Sequence, residues 1–317
     1  AGCRHDGGVR LSAGGDRSGA DWIIMTAAIV LFGIWLNGGD VAGTDSAKVW
    51  QTIGNTIKSR DPYHLMTFHP FGRTLSSDWF HNESWLDFNM FQSGHRRYDQ
   101  DNTERCYGED NWRYVNSDYA KQPVKPTLDG EPSYEHIPQG LHDGTQPRWT
   151  ASDARRYAYW SVFAGSFGHT YGHSSIMQFY SPGDTDKSYD PHIYWEPALD
   201  EPGGNSMKYL KELILSKPFL GRIPDQSIIT SGQGEKYGYL AATRGEGFFM
   251  VYVYDGKPFS VDGSKINSDR IKASWFNPGN GQTTVIGTFE NKVNMPFDPP
   301  GDILDGNDWV LVMDAVR

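Results

Sequence analysis

Lys125-Pro126-Thr127-Leu128-Asp129-Gly130-Glu131-Pro132 is a short extended run that stops abruptly on one carboxylate. Val124 and Pro126 lead into it, and Gly130 and Pro132 break it. The residue before a proline is held near extended geometry, so Glu131 is expected at the end of a strand. In α/β barrels the strand ends carry the catalytic side chains. An isolated Gly-Glu-Pro is more often an exposed turn, so this reading requires a second carboxylate and a sheet that holds both.

Working outward, residues 22–36 are almost wholly apolar, interrupted only by Thr26 and Gly33. The run is shorter than the roughly 20 residues that cross a bilayer. The long Gly-, Arg- and Asp-rich preamble and the sequel Asn37-Gly38-Gly39-Asp40 fit a signal peptide poorly. Strands of a parallel sheet are covered on both faces and read as continuous apolar runs, so a strand is expected over 30–36, again ending on glycines and a carboxylate.

The chain then alternates. Residues 46–60, with Val49, Ile53 and Ile57 on one stripe and Asp61-Pro62 as a stop, read as a helix. Residues 64–70 read as a strand closed by Pro70, and 85–92 as another ended by Ser93-Gly94-His95. A short helix is expected over 111–120. A longer one should follow from an N-cap at Ser152 to about 167, with Tyr157, Trp160 and Ala164 on its stripe. Residues 168–173 form a further strand end, and 205–216 a helix stopped by Pro218. This spacing implies parallel βα units. After about 222 the pattern becomes short strands at 227–229, 237–243, 247–254, 271–276, 283–289 and 309–314, with Asp255-Gly256 and Asn280-Gly281 as hairpin signals. The expected organisation is an unassigned segment over 1–20, a βα domain over 21–222 and an all-β sandwich over 223–317, packed directly on one another.

Composition narrows the partner. With 39 acidic against 29 basic residues the formal charge is −10, which disfavours nucleic acid and anionic membranes. The aromatic surplus of 11 Trp, 17 Tyr and 16 Phe suits sugar stacking as well as packed β-structure, so an oligosaccharide or polysaccharide is the more natural partner. Cys3 and Cys106 form no metal or redox spacing and identify no compartment.

Asp40 and Glu131 each terminate a strand of one presumed parallel sheet, so both should point into one cleft. Glycoside hydrolysis asks for such a pair: one acid protonates the leaving oxygen while the other attacks the anomeric carbon or activates water. Carboxyls about 5 Å apart give retention, and a separation nearer 7 to 9 Å gives inversion. His69, Gln92, His95, His169, Tyr171 and His173 lie at other strand ends as candidate hydrogen-bonding groups for sugar hydroxyls. His169 and His173 have i, i+4 spacing, but sharing a metal at that spacing needs a helix, which Gly168 and Gly172 argue against. No metal and no other cofactor is expected. A nucleophile elbow, a phosphate-cradling loop and a dinucleotide fingerprint are all missing from the sequence.

Trp35 to Asp40, His64 to Pro70, Trp85 to His95, Gly130-Glu131-Pro132 with Tyr134-Glu135, and Gly168 to His173 resemble the apiosidase-like glycoside hydrolases. Trp275-Phe276-Asn277-Pro278 and residues 306–311 resemble the C-terminal β-domain of the same proteins, often labelled collagen-binding. The resemblance implies a secreted or periplasmic retaining (β/α)8 TIM-barrel enzyme of plant-pectin degradation, acting on apiose side chains of rhamnogalacturonan II. It implies Asp40 as acid/base at the end of the fourth strand and Glu131 as nucleophile at the end of the seventh. The three βα units that precede the fourth strand have no readable counterpart in residues 1–20. The expectation is therefore strands four to eight only, on a truncated or scrambled start, with closure and part of the substrate rim lost. The competing expectation is a non-catalytic protein that binds carbohydrate or collagen-like matrix through its C-terminal β-domain.

Overall fold

A computed structural model describes residues 33–316. The unassigned segment over 1–20 and the apolar run up to residue 32 lie outside the described residues. The first half contains β1 (Ile34–Val41), α1 (Ala47–Arg60), β2 (Leu65–Pro70), α2 (Ser77–Phe80), β3 (Asn89–Phe91), α3 (Asn111–Tyr119), β4 (Thr127–Asp129), α4 (Ala151–Phe163), β5 (Gly168–His169), α5 (Trp195–Ala198) and α6 (Pro202–Leu215). β1 pairs with β2, β3 with β4 and β4 with β5, all in parallel. β2 and β3 run side by side, joined by the Asp87 N–H on Met66 O at 2.9 Å and the Thr67 hydroxyl on Phe88 O at 2.8 Å. The strands therefore follow one another in chain order, and their C-terminal ends share one side.

Local packing explains where the elements differ from the sequence reading. Helix α1 does not bury the expected stripe: Val49 and Ile53 are exposed, and the inward face is Trp50, Gly54 and Ile57. A side chain at Gly54 would collide with the Trp85 ring, which lies across the helix in a cluster with Met66, Phe68, Phe80 and Leu86. Of residues 85–92 only Asn89–Phe91 is strand, because Trp85 and Leu86 are drawn into that cluster. Helix α4 is capped by Thr150, not by Ser152. Thr150 Oγ1 accepts the Asp153 N–H and the Asp153 carboxylate accepts the Thr150 N–H, a reciprocal capping box.

The second half contains β6 (Ile223–Pro224), β7 (Ile229–Ser231), β8 (Ala241–Gly245), β9 (Phe248–Val253), β10 (Phe259–Val261), β11 (Arg270–Phe276), β12 (Thr283–Glu290), β13 (Met295–Phe297) and β14 (Trp309–Ala315). They form a six-stranded sheet in the order β12-β11-β14-β9-β8-β6 and a three-stranded sheet in the order β13-β10-β7. Asn280-Gly281 turns the β11–β12 hairpin as expected. Asp255-Gly256 does not make a hairpin: β9 pairs with β8 and β14, and the chain crosses to β10 in the other sheet. β10 and β13 escape sequence reading because each spans three residues, and Pro296 suits β13 only as an edge strand.

β9 joins the two halves. Phe249, Val251 and Val253 point into the sandwich core with Phe259, Trp275 and Leu311, whereas Phe248, Met250 and Tyr252 pack on Tyr159, Trp160 and Phe163 of α4. All six β9 side chains are buried, each contributing about 1.5–3 kcal/mol relative to exposure for the large apolar ones. The two halves thus share a continuous apolar layer.

Candidate active site

Asp40 is presented by a deliberate irregularity. The Asn37 side chain is tied to Trp50 O at 2.9 Å and accepts the Gly38 N–H at 3.0 Å. Gly38, Gly39 and Asp40 then take φ values of 80°, 136° and 54°. The pairing of β1 with β2 shifts register between Gly38 and Val41, so the strand is bulged where Asp40 emerges. A Cβ at Gly38 would stand 2.6 Å from the Phe68 ring and 2.8 Å from the His69 carbonyl oxygen. Only glycine allows that approach. Asp40 itself carries left-handed backbone strain, a feature that concentrates at functional sites.

Glu131 leaves the end of β4 after Gly130, whose missing side chain makes room for Met90. The Gly94 N–H fixes the Glu131 carbonyl at 3.0 Å. Two imidazoles grip the carboxylate: His95 Nε2 lies 3.0 Å from Oε1 and His69 Nε2 lies 3.3 Å from Oε2. Each ring receives a backbone N–H at Nδ1, from Tyr134 on His95 at 3.3 Å and from Asp40 on His69 at 3.2 Å. Those N–H groups leave Nδ1 an acceptor and put the proton on Nε2, so both rings donate to Glu131. His69 thus connects the backbone that carries Asp40 to the carboxylate of Glu131.

The electrostatics of the two acids diverge. Burial opposes the charge of Glu131, but the hydrogen bonds from His69 and His95 outweigh it and bring its pKa down to about 2. Asp40 is exposed at its surface, yet partial loss of solvent raises its pKa, the Glu131 carboxylate raises it further, and His69, Gln92 and His95 offset this only in part. A third carboxylate, Asp129, is pushed up to about 6 by burial despite hydrogen bonds from Asn111 and Ser93. It is 0% exposed, so it has no access to a cleft, and its hydrogen bonds tie the end of β4 to Ser93 and Asn111.

The structure brings Asp40, His69, Gln92 and His95 together around Glu131. His69 and His95 spend their Nε2 protons on the carboxylate, so they orient Glu131 and are not free donors for sugar hydroxyls. His169 sits apart, its Nδ1 3.1 Å from Ser161 Oγ on α4, and burial lowers its pKa to about 3. Tyr171 and His173 belong to a neighbouring group: the Tyr171 hydroxyl donates to Glu135 at 2.6 Å, and His173 accepts the Ser175 N–H at 3.0 Å. Tyr134 and Tyr189 are the residues the sequence reading missed. The Tyr134 ring meets His95 edge-on at 4.8 Å, and the pKa of Tyr189 is raised by burial and by the charges of Asp40 and Glu131. Tyr134 stands three positions after Glu131, within the motif that flags the strand end. Tyr189 lies in an aperiodic loop that carries no such signal.

Residues 32–221 match the family described as "Apiosidase-like, catalytic domain", and residues 223–314 match "Putative collagen-binding domain of a collagenase". Among solved structures, one named "Glycoside hydrolase" is 50% identical with a TM-score of 0.86, covering 89% of this chain and 64% of its own. A glycoside hydrolase family 5 protein from Bacteroides vulgatus is 51% identical with a TM-score of 0.85, covering 89% of this chain and 62% of its own. This chain therefore spans less than two thirds of either relative. A search of curated proteins finds no match. By its strand-end motifs, its α/β and β-rich halves and the match over most of its first 221 residues, the chain belongs to the apiosidase-like glycoside hydrolase family.

Proposed function

We propose that the protein is a retaining glycoside hydrolase that removes side-chain sugars from plant cell-wall polysaccharide, of the apiose-bearing kind that its family implies. The carrying observation is the opposed pKa displacement of two neighbouring carboxyls. Glu131 is held ionised, as a nucleophile must be, and the pKa of Asp40 is displaced upward, the direction that suits a general acid. In the first step a Glu131 oxygen bonds to the anomeric carbon while the glycosidic C–O bond breaks and Asp40 passes its proton to the departing oxygen. In the second, Asp40 takes a proton from water, the water oxygen attacks the same carbon, and the glycosyl–Glu131 ester opens. In this reading β1 to β5 are the fourth to eighth strands of a (β/α)8 barrel, the catalytic domain occupies 21–222 and the sandwich 223–317, and the protein acts outside the cytoplasm. The test is Glu131→Gln assayed on an aryl glycoside, with folding checked by circular dichroism. Turnover should fall by at least ~10³-fold, and a variant with wild-type rates would falsify the assignment.

A further inference from the structure

The loops that follow β4 and β5 build a second cluster beside the Glu131 site. Glu135, His136 and Glu201 each bring one ligand-capable atom to within 4.8 Å of the others. Glu135 is 1% exposed, with Oε2 accepting the Tyr171 hydroxyl at 2.6 Å and Oε1 accepting the Gly203 N–H at 3.2 Å. His136 Nε2 stands 3.4 Å from Glu201 Oε2, while its Nδ1 is buried with no hydrogen-bond partner. The His192 ring stacks on the His136 ring at 4.8 Å. The His173 ring lies 4.9 Å from it and is 1% exposed, with a buried Nε2 that also lacks a partner.

The charge balance of this cluster points outward. Two carboxylates converge, and among the described residues no lysine or arginine forms an ion pair with either. The Arg148 guanidinium beside the cluster is committed to the His136 carbonyl at 2.7 Å and to Asp190 at 2.9 Å. Carboxylates brought together, one of them buried, repel unless a cation joins them. One imidazole and two carboxylates, one of them buried and aligned from behind by a hydroxyl and a backbone N–H, are a ligand set with its outer support in place. The imidazole selects against calcium and magnesium, which prefer oxygen donors throughout, and suits zinc.

We propose that Glu135, His136 and Glu201 bind a divalent transition-metal ion of the zinc class, with Tyr171 and the Gly203 N–H orienting Glu135. The ion would have a structural role, clamping the segment that follows Glu131 to the start of α6. Neither residue of the His169/His173 pair, the closest approach to a metal spacing in the sequence, is a ligand. Glu135 and His136 are adjacent and Glu201 is distant, so only the fold assembles the site.

The experiment is independent of turnover. Full-length protein stripped by chelator is titrated with Zn²⁺ by calorimetry, and metal content is read by plasma mass spectrometry and stability by thermal melting. Expected are one zinc per chain and a Tm increase of about 5 °C at a hundredfold excess over Kd, with no shift from Ca²⁺ or Mg²⁺. His136→Ala and Glu201→Gln should each weaken zinc binding by at least ~10-fold and remove most of the shift, whereas His142→Ala should change neither. Glu201 is half-exposed, so its variant keeps the test alive should His136→Ala not fold. No saturable zinc binding by wild type, or zinc bound equally by both ligand variants, overturns the proposal.

Discussion

His95 Nε2 lies 3.0 Å from Glu131 Oε1, and the Tyr134 N–H at His95 Nδ1 dictates which nitrogen holds the proton. His95 is therefore a positioning residue for the Glu131 carboxylate, the proposed nucleophile. Hydrogen bonds to charged groups contribute about 1.5–3 kcal/mol, so His95→Ala should raise the Glu131 pKa by about 1–2 units. The acidic limb of the pH dependence of kcat/KM should move up accordingly, with a smaller effect on KM. His95→Gln, which retains a donor, should recover part of the shift. An unmoved acidic limb in His95→Ala would count against this role.

The depressed pKa of Glu131 also makes it a stabilising group with a defined pH window. Its folded pKa of about 2 lies below the ordinary value of 4.5, so the contribution is complete above about 4.5 and is lost as pH falls towards 2. The displacement corresponds to about 3 kcal/mol. Urea denaturation of wild type and Glu131→Gln should therefore show a stability gap at pH 6 that closes by most of that amount at pH 3. A gap that is the same at both pH values would show that the histidines do not hold the charge.

Asp40 responds to the same charge with the opposite sign. Removing the Glu131 carboxylate in Glu131→Gln should lower the Asp40 pKa, which carbon NMR of labelled aspartate reads directly. In turnover, Asp40→Ala should slow aryl glycosides with poor leaving groups by ~10²–10⁴-fold and spare those whose leaving group needs no proton. An equal loss across the leaving-group series would remove Asp40 from the acid role.

The legible and illegible parts of this molecule separate along physical lines. Parallel βα units showed in the sequence because short extended runs stop on Gly or Pro between helical stretches, as in Leu65–Pro70 and Thr127–Asp129 before Gly130. Asp40 and Glu131 stood out because each follows such a stop. What His69 and His95 do was not legible, because a histidine at a strand end looks the same whether it faces a sugar or a carboxylate. The inward face of α1 was misread because the buried position is Gly54, whose role is to have no side chain beneath Trp85. The Asp255-Gly256 turn was misread because a turn motif reports local backbone geometry and does not say which sheet the next strand joins. The Glu135–His136–Glu201 cluster was invisible because it draws on segments that only the tertiary fold brings together.

The junction of the two halves yields the last prediction. Arg156 on α4 is 0% exposed and donates to Glu109 at 2.6 Å and to Asp153 at 3.1 Å. Its guanidinium lies 4.7 Å from the Tyr237 ring and 4.9 Å from the Tyr254 ring, both contributed by the second half. Those tyrosines also donate to the same acids, Tyr237 to Glu109 at 2.9 Å and Tyr254 to Asp153 at 3.0 Å. Removing the cation alone leaves two acids buried without it, so Arg156→Met should cost about 3–5 kcal/mol in urea denaturation. Adding Glu109→Gln removes one of the stranded charges and should restore part of that loss. If the double variant is no more stable than Arg156→Met, lost packing against the four surrounding rings explains the defect better than the buried charge.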